Sequence, residues 1–341
     1  MPPALTSALA ESHHLLVLAP DVSANEITIL ASTRWRAVKH DKDKITLSRY
    51  SSLTGPHKFD ATLGAGLGLP SGFNQAWAIS TLTERGDRPF PGSLDPTGVS
   101  RAFPDGLPIR EERRVADFLI SAARRLGGVV RFHGSGISVA PVPDSALDLT
   151  VYSPLWLEPQ AALATARSLV PDFALDIAVP SPVPAGRGGW THGDGIGGPT
   201  GPALRAILDG LDLSPERRAE LRQRASEHDR AAMAEPPVLD RYALSANLGP
   251  AGTVIIEIAG TDEPPGALRQ VPWAADGAVA YKMHWIPPDP KHLLMEFPPP
   301  DHCHARSLLA NLVAALASLV HQTVGGEILD ADDFPIDPAD L

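Results

Sequence analysis

Two apolar, helix-length segments of this chain each run into a Gly-Gly pair and then directly into a short apolar stretch. They are VADFLISAARRLGGVV at 115–130 and VAALASLVHQTVGGEI at 313–328. A glycine enters the left-handed conformation at little steric cost, so each pair ends a helix and turns the chain into a strand. In the first segment Val115, Phe118, Leu119, Ala122 and Leu126 fall on one face of a helix spanning 109–126, with arginines and acids mostly on the other. The apolar positions Val115/Val313, Phe118/Leu316, Leu126/Val324 and Val130/Ile328 coincide. The coincidence has two readings: two unrelated helix stops, or an old duplication of an α+β unit in which a helix packs on an antiparallel sheet.

The rest of the chain is read around these helices. Strand patterns, rich in β-branched residues or alternating, fall at 14–20, 26–31, 44–50, 74–83, 147–152, 173–179, 242–248, 253–259, 278–286 and 292–297. Helices are expected from near Pro159 to 169, over 203–211 and over 301–323. The glycine-rich stretch 64–72 reads as a loop, and the prolines of 86–108 exclude a regular element there. Ser214-Pro215-Glu216 is a helix start, with an N-cap serine and proline at the first position. The helix it opens, 214–235, is charged and poor in large apolar residues, as expected of an exposed connector. The expected architecture is α+β with two lobes, each a mainly antiparallel sheet with one or two packed helices. An N-terminal lobe takes 1–180, a Pro/Gly loop and connector helices take 181–240, and a C-terminal lobe with an acidic tail takes 241–341.

Charge narrows the function classes. Forty acids against 29 bases give a net charge of −11, which repels nucleic acid at long range. The basic stretches 34–44 and 110–125 contain acids and lack the interleaved aromatics that stack on bases. No run of about 18 consecutive apolar residues occurs, so no membrane-spanning helix is expected. The first residues lack the basic and apolar regions of a secretory signal, and one cysteine, Cys303, permits no intrachain disulfide. A cytoplasmic, reducing compartment is the expectation.

Two places hold chemistry-bearing residues. Gly193-x-Gly195-x-x-Gly198 is spelled like a dinucleotide fingerprint, but residues 180–192 separate it from the preceding strand, and Pro199 and Pro202 precede the next helix. It reads as a surface loop, or as an anion cradle with Arg187, Trp190 and His192. Asp301-His302-Cys303-His304 opens the last helix, where the helix N-terminus and neighbouring imidazoles favour a thiolate. Adjacent residues diverge on a helix, however, and the nearest extra ligands, His284 and His292, lie on other segments. His13, His14 and His57 are isolated, Asp330-x-Asp332-Asp333 reads as a solvated acidic tail, and Glu257 sits within a β-branched strand. No known catalytic motif occurs, and no cofactor or metal is implied. The expected function is a non-catalytic binding or assembly module with a protein partner or self-association. The alternatives are a hydrolase or transferase with its site between the lobes, 186–198 as lid and a histidine or Cys303 as the reactive group, or a small-molecule or anion sensor.

Overall fold

The computed structural model describes residues 3–176 and 240–341, with isolated positions 217, 223 and 224 between them. The first half begins with α1 (Ser7–Ser12), β1 (His14–Leu18) and α2 (Ala24–Arg34). The strands β2 (Lys39–Asp41), β3 (Lys44–Thr46) and β4 (Ser52–Lys58) follow, then α3 (Ala61–Gly66) and β5 (Gln75–Ser80). A long connection carrying α4 (Val99–Ala102) leads to α5 (Arg110–Arg125), β6 (Val129–Arg131) and β7 (Ser138–Val139). All pairings are antiparallel, in the order β2-β3-β4-β5-β1-β6-β7.

The continuous apolar run of β1 reflects burial on both faces. Leu16 and Leu18, with Trp77, Ile79 and Val130, pack against the apolar sides of α2 and α5. Leu15 and Val17, with Ala76, Ala78 and Val129, pack on the opposite face against Ala10 of α1 and Leu63 of α3. A strand covered twice has no solvent side, so its sequence shows no alternation.

The second half comprises β8 (Leu149–Ser153), α6 (Pro159–Arg167), β9 (Ala174–Asp176), β10 (Arg241–Asn247), β11 (Thr253–Thr261) and β12 (Ala278–Ile286). It ends with α7 (Pro300–Val324), β13 (Glu327–Asp330) and β14 (Pro335–Ile336). Its sheet runs β9-β10-β11-β12-β8-β13-β14, the order of the first sheet with seven added to each number. In both halves a long helix carries the chain across the first strand of that half, β1 or β8, to a strand that pairs on its far side. In both, the Gly-Gly pair makes that turn. Gly127 and Gly325 have φ of 62° and 67°. A Cβ on Gly128 would lie 2.6 Å from the Val17 carbonyl oxygen of β1, and one on Gly326 would collide with the Tyr152 carbonyl of β8. The second glycine of each pair is therefore required by the close approach of two backbones, beyond its role as a helix stop.

The α+β, two-lobed expectation holds, with several corrections. Residues 26–31 are helical, not extended. Ser23 accepts a hydrogen bond from the Glu26 N–H, while the Glu26 carboxylate accepts the Ser23 N–H at 2.7 Å. This capping box, with Ile27, Leu30 and Ala31 buried on one face, outweighs the β-branched composition. The stretch 64–72 contributes its first residues to α3, and 292–297 holds the end of a 3₁₀ turn, Pro290–Leu294, in place of a strand. The first sheet ends at Val139, and the strands within Leu149–Asp176, β8 and β9, belong to the second sheet, where β8 is an interior strand between β12 and β13. Residues 177–239 are not a link between two sheets, because their flanks β9 and β10 are paired neighbours with Asp176 opposite Ala243. The expected helices 203–211 and 214–235 lie outside the described residues.

The acidic tail is structural. The Asp330 carboxylate accepts the N–H groups of Asp332 and Phe334, each at 2.9 Å, which shapes the turn between β13 and β14. Asp332 then reaches the first half: it accepts from Ser121 at 2.7 Å and Arg124 at 2.5 Å, and its carbonyl accepts from Arg34 at 2.7 Å. Phe334 enters the first core against Phe118. By length and a mean hydropathy of 1.5, α7 resembles a membrane-crossing segment. Here Leu309, Val313, Leu316, Val320 and Val324 form a face packed on the second sheet, as in a core helix.

Candidate functional site

A concave site lies where the connections before α5 and α7 meet. Pro96, Thr97 and Arg101 come from the first connection, and His292, Leu293 and Met295 to Pro298 from the second. Ala140–Val142 with Ser145 forms another wall, and the first turns of α7 close it with His302, Cys303 and Arg306. The cavity measures about 540 Å³, within the usual range for small-molecule pockets.

Each polar wall has a local cause. Pro299 and Pro300 start α7, since proline is preorganised for the first helical position and lacks the N–H that would go unused there. His302 and Arg306 follow one turn apart on the same face and are each 6% exposed. The His302 ring lies 5.0 Å from the Trp285 ring and 5.4 Å, edge to face, from His292. Burial, reinforced by the nearby Arg306 and His292, holds its pKa below the ordinary imidazole range. Arg306 donates to Asp144 at 3.1 Å, and Ser307 donates to the other oxygen of the same carboxylate at 2.6 Å. Arg101 clamps Glu296 at 2.6 Å, and Arg124, at the end of α5, bonds Ser145 and Asp332. Between these groups Val139, Pro141, Leu293, Met295 and Phe297 supply an apolar lining.

The structure thus brings His302 and Cys303 together with His292, which had been expected on a separate strand. His284 lies on β12, and Cys303 is half-buried. The Cys303 thiol donates to the Pro298 carbonyl at 3.7 Å rather than pairing with an imidazole. Arg187, His192, Gly193, Gly195 and Gly198 lie outside the described residues. Arg101, Arg124 and Arg306 were not anticipated as one site, because three separate segments deliver them.

A second cluster also escaped the sequence reading. His14, Glu112 and His133 place three potential metal-ligand atoms within 4.8 Å of one another. Glu112 is fully buried; one of its oxygens takes His14 Nε2 at 3.3 Å and Arg85 at 2.9 Å, and the other accepts the Glu84 N–H at 2.8 Å. The protonation pattern does not fit a metal. His14 Nδ1 accepts the His133 backbone N–H at 3.2 Å, so the ring proton sits on Nε2, the atom a metal would need. The Arg85 guanidinium already neutralises the carboxylate and repels a cation. Burial keeps His14 below its ordinary pKa and pushes His133 down to about 4. The cluster is a neutral-imidazole network built around one half-buried ion pair. In sequence Glu112 sits in the run REERR and has the look of a solvated residue.

Comparison with known protein families, with curated sequences and with solved structures returns no match, so the site is read from its own geometry.

Proposed function

We propose that this protein is a non-catalytic binding module and that the cavity between the connections before α5 and α7 receives a small molecule. The observation that carries the reading is a cavity of about 540 Å³ whose apolar lining surrounds a few convergent polar side chains. The Cys303 thiol bonds to a carbonyl and, among the described residues, has no hydrogen bond to a base, which favours binding over nucleophilic catalysis. The identical strand orders and the matching Gly-Gly turns support an internal duplication, and the cavity then opens between two corresponding connections. The single cysteine, which permits no intrachain disulfide, is in keeping with a reducing, cytoplasmic setting.

A thermal-shift screen of metabolites tests the reading. Ala140 is exposed and lines the cavity, so Ala140→Trp fills it without touching either core. Compounds that raise the melting temperature of the wild type and not of Ala140→Trp are expected. An absence of such compounds, or equal shifts in both proteins, would overturn the reading.

A protein partner or self-association is the second reading. Phe90 and Phe297, one on each of the two connections, are 80% and 73% exposed, as is usual for surfaces that meet another chain. Light scattering that gives a strict monomer, with no partner retained in a pull-down, would count against it.

A further inference from the structure

We infer that the ligand of this cavity is an uncharged molecule with an apolar body, and that the internally paired charges of the wall discriminate against ions of either sign. The inference rests on the small-molecule reading above and names the class of ligand that the cavity selects.

The wall is rich in charged residues, yet each arginine that lines it already faces its own carboxylate. Arg101 holds Glu296 at 2.6 Å, Arg124 holds Asp332 at 2.5 Å and Arg306 holds Asp144 at 3.1 Å. His292 has the Asp289 carboxylate 3.7 Å away. Burial holds the His302 ring below the ordinary imidazole range, so it is neutral at pH 7. Asp301, in the first turn of α7, offsets the positive end of the helix. The wall therefore keeps no countercharge in reserve for a ligand.

Its uncharged polar groups are engaged as well. The Thr97 hydroxyl donates to Asp95 at 2.5 Å, the Ser145 hydroxyl accepts from Arg124 at 3.0 Å, and the Cys303 thiol donates to the Pro298 carbonyl. His302 Nε2, Arg306 Nε and Ser138 Oγ lack partners, but all are closed off from the cavity.

What the wall leaves open to a ligand is apolar. Val139, Pro141, Val142, Leu293, Met295 and Phe297 line the cavity. Val142, Leu293 and Phe297 are exposed, so this apolar surface continues from the cavity out to solvent. Exposed apolar surface around a concavity is a mark of a binding site. An ion entering here would lose its hydration and meet no unpaired countercharge, whereas an uncharged chain gains with each methylene it removes from water.

Cys303 is the chain's single cysteine and lines the cavity half-buried, so its alkylation by N-ethylmaleimide reports occupancy. Decanol, decanoate and decyltrimethylammonium share a chain and carry no charge, a negative charge and a positive charge. At about ten times its Kd, decanol should slow alkylation of the full chain about tenfold, the fraction of sites left empty. Ala140→Trp should abolish that protection. Isothermal titration should show decanol binding about tenfold or more tightly than either ion. Its affinity should fall about fourfold for each methylene removed. Glu296→Gln leaves the Arg101 guanidinium without its carboxylate, and should raise decanoate affinity about tenfold while decanol is unchanged. An ion that binds wild type as tightly as decanol, or a decanoate affinity unmoved by Glu296→Gln, overturns the selection for an uncharged ligand and leaves the small-molecule reading standing. Protection that persists in Ala140→Trp overturns the cavity as the place of binding. Alkylation that none of the three probes slows overturns the apolar ligand, and the metabolite screen then decides the wider reading by itself.

Discussion

Replacing Glu112 with alanine probes whether the buried network is structural. In the folded chain the carboxylate is wholly buried and accepts from His14 Nε2, Arg85 and the Glu84 N–H. Alanine leaves the buried His14 donor and the half-buried Glu84 N–H without acceptors, at about 1–3 kcal/mol each. The Arg85 side chain is 27% exposed and can turn toward water, so its share is small. The expected loss is about 3–5 kcal/mol, comparable to breaking other buried ion pairs. Urea denaturation followed by tryptophan fluorescence measures it, and Trp77 in the adjoining core is a suitable reporter. The slope of the transition should be unchanged, because the same surface is exposed on unfolding. A loss under about 1 kcal/mol would refute the account and imply that the ion pair's own desolvation had cancelled its attraction.

The same cluster sets an acid dependence. His133 titrates near 4 when folded and near 6.5 when unfolded, so above pH 6.5 both states are neutral and it adds no slope. As pH falls from 6.5 toward 4 the unfolded chain takes up the proton and the folded one does not; stability therefore declines over that window, and His133→Gln should flatten a stability–pH curve there. Added Zn²⁺ or EDTA should leave the melting temperature unchanged, since His14 Nε2 carries a proton and Arg85 holds the carboxylate; a zinc-dependent rise would overturn the tautomer assigned to His14. Asp332→Ala removes the acceptor of Ser121 and Arg124 and should lower stability by about 2–3 kcal/mol, and an unmoved denaturation midpoint would show that the bridge between the two halves contributes nothing.

What could be read in the residues alone was local. The stop of α5, the strand after it and the equivalent turn after α7 follow from glycine conformations and helical spacing, both properties of neighbours along the chain. Even so, 26–31 read as a strand on β-branched composition, although Ser23 and Glu26, which cap a helix there, stood in plain sight. The tertiary structure decided the rest, because pairing depends on residues far apart. Only the sheet shows that β8 lies inside the second sheet between β12 and β13, and that β9 and β10 are neighbours across an insertion of more than sixty residues. Glu112 carries no mark of burial in an acidic and basic run, since its partners come from β1 and from the connection before α5. His302 and Cys303 were visible as a local pair, but His292, Arg124 and Arg101 joined them only through the meeting of two connections from different halves. A sequence states which backbone turns are easy and which faces are apolar. Where charges end up buried, and which donors lack partners, is fixed by the packing of segments that no local pattern relates.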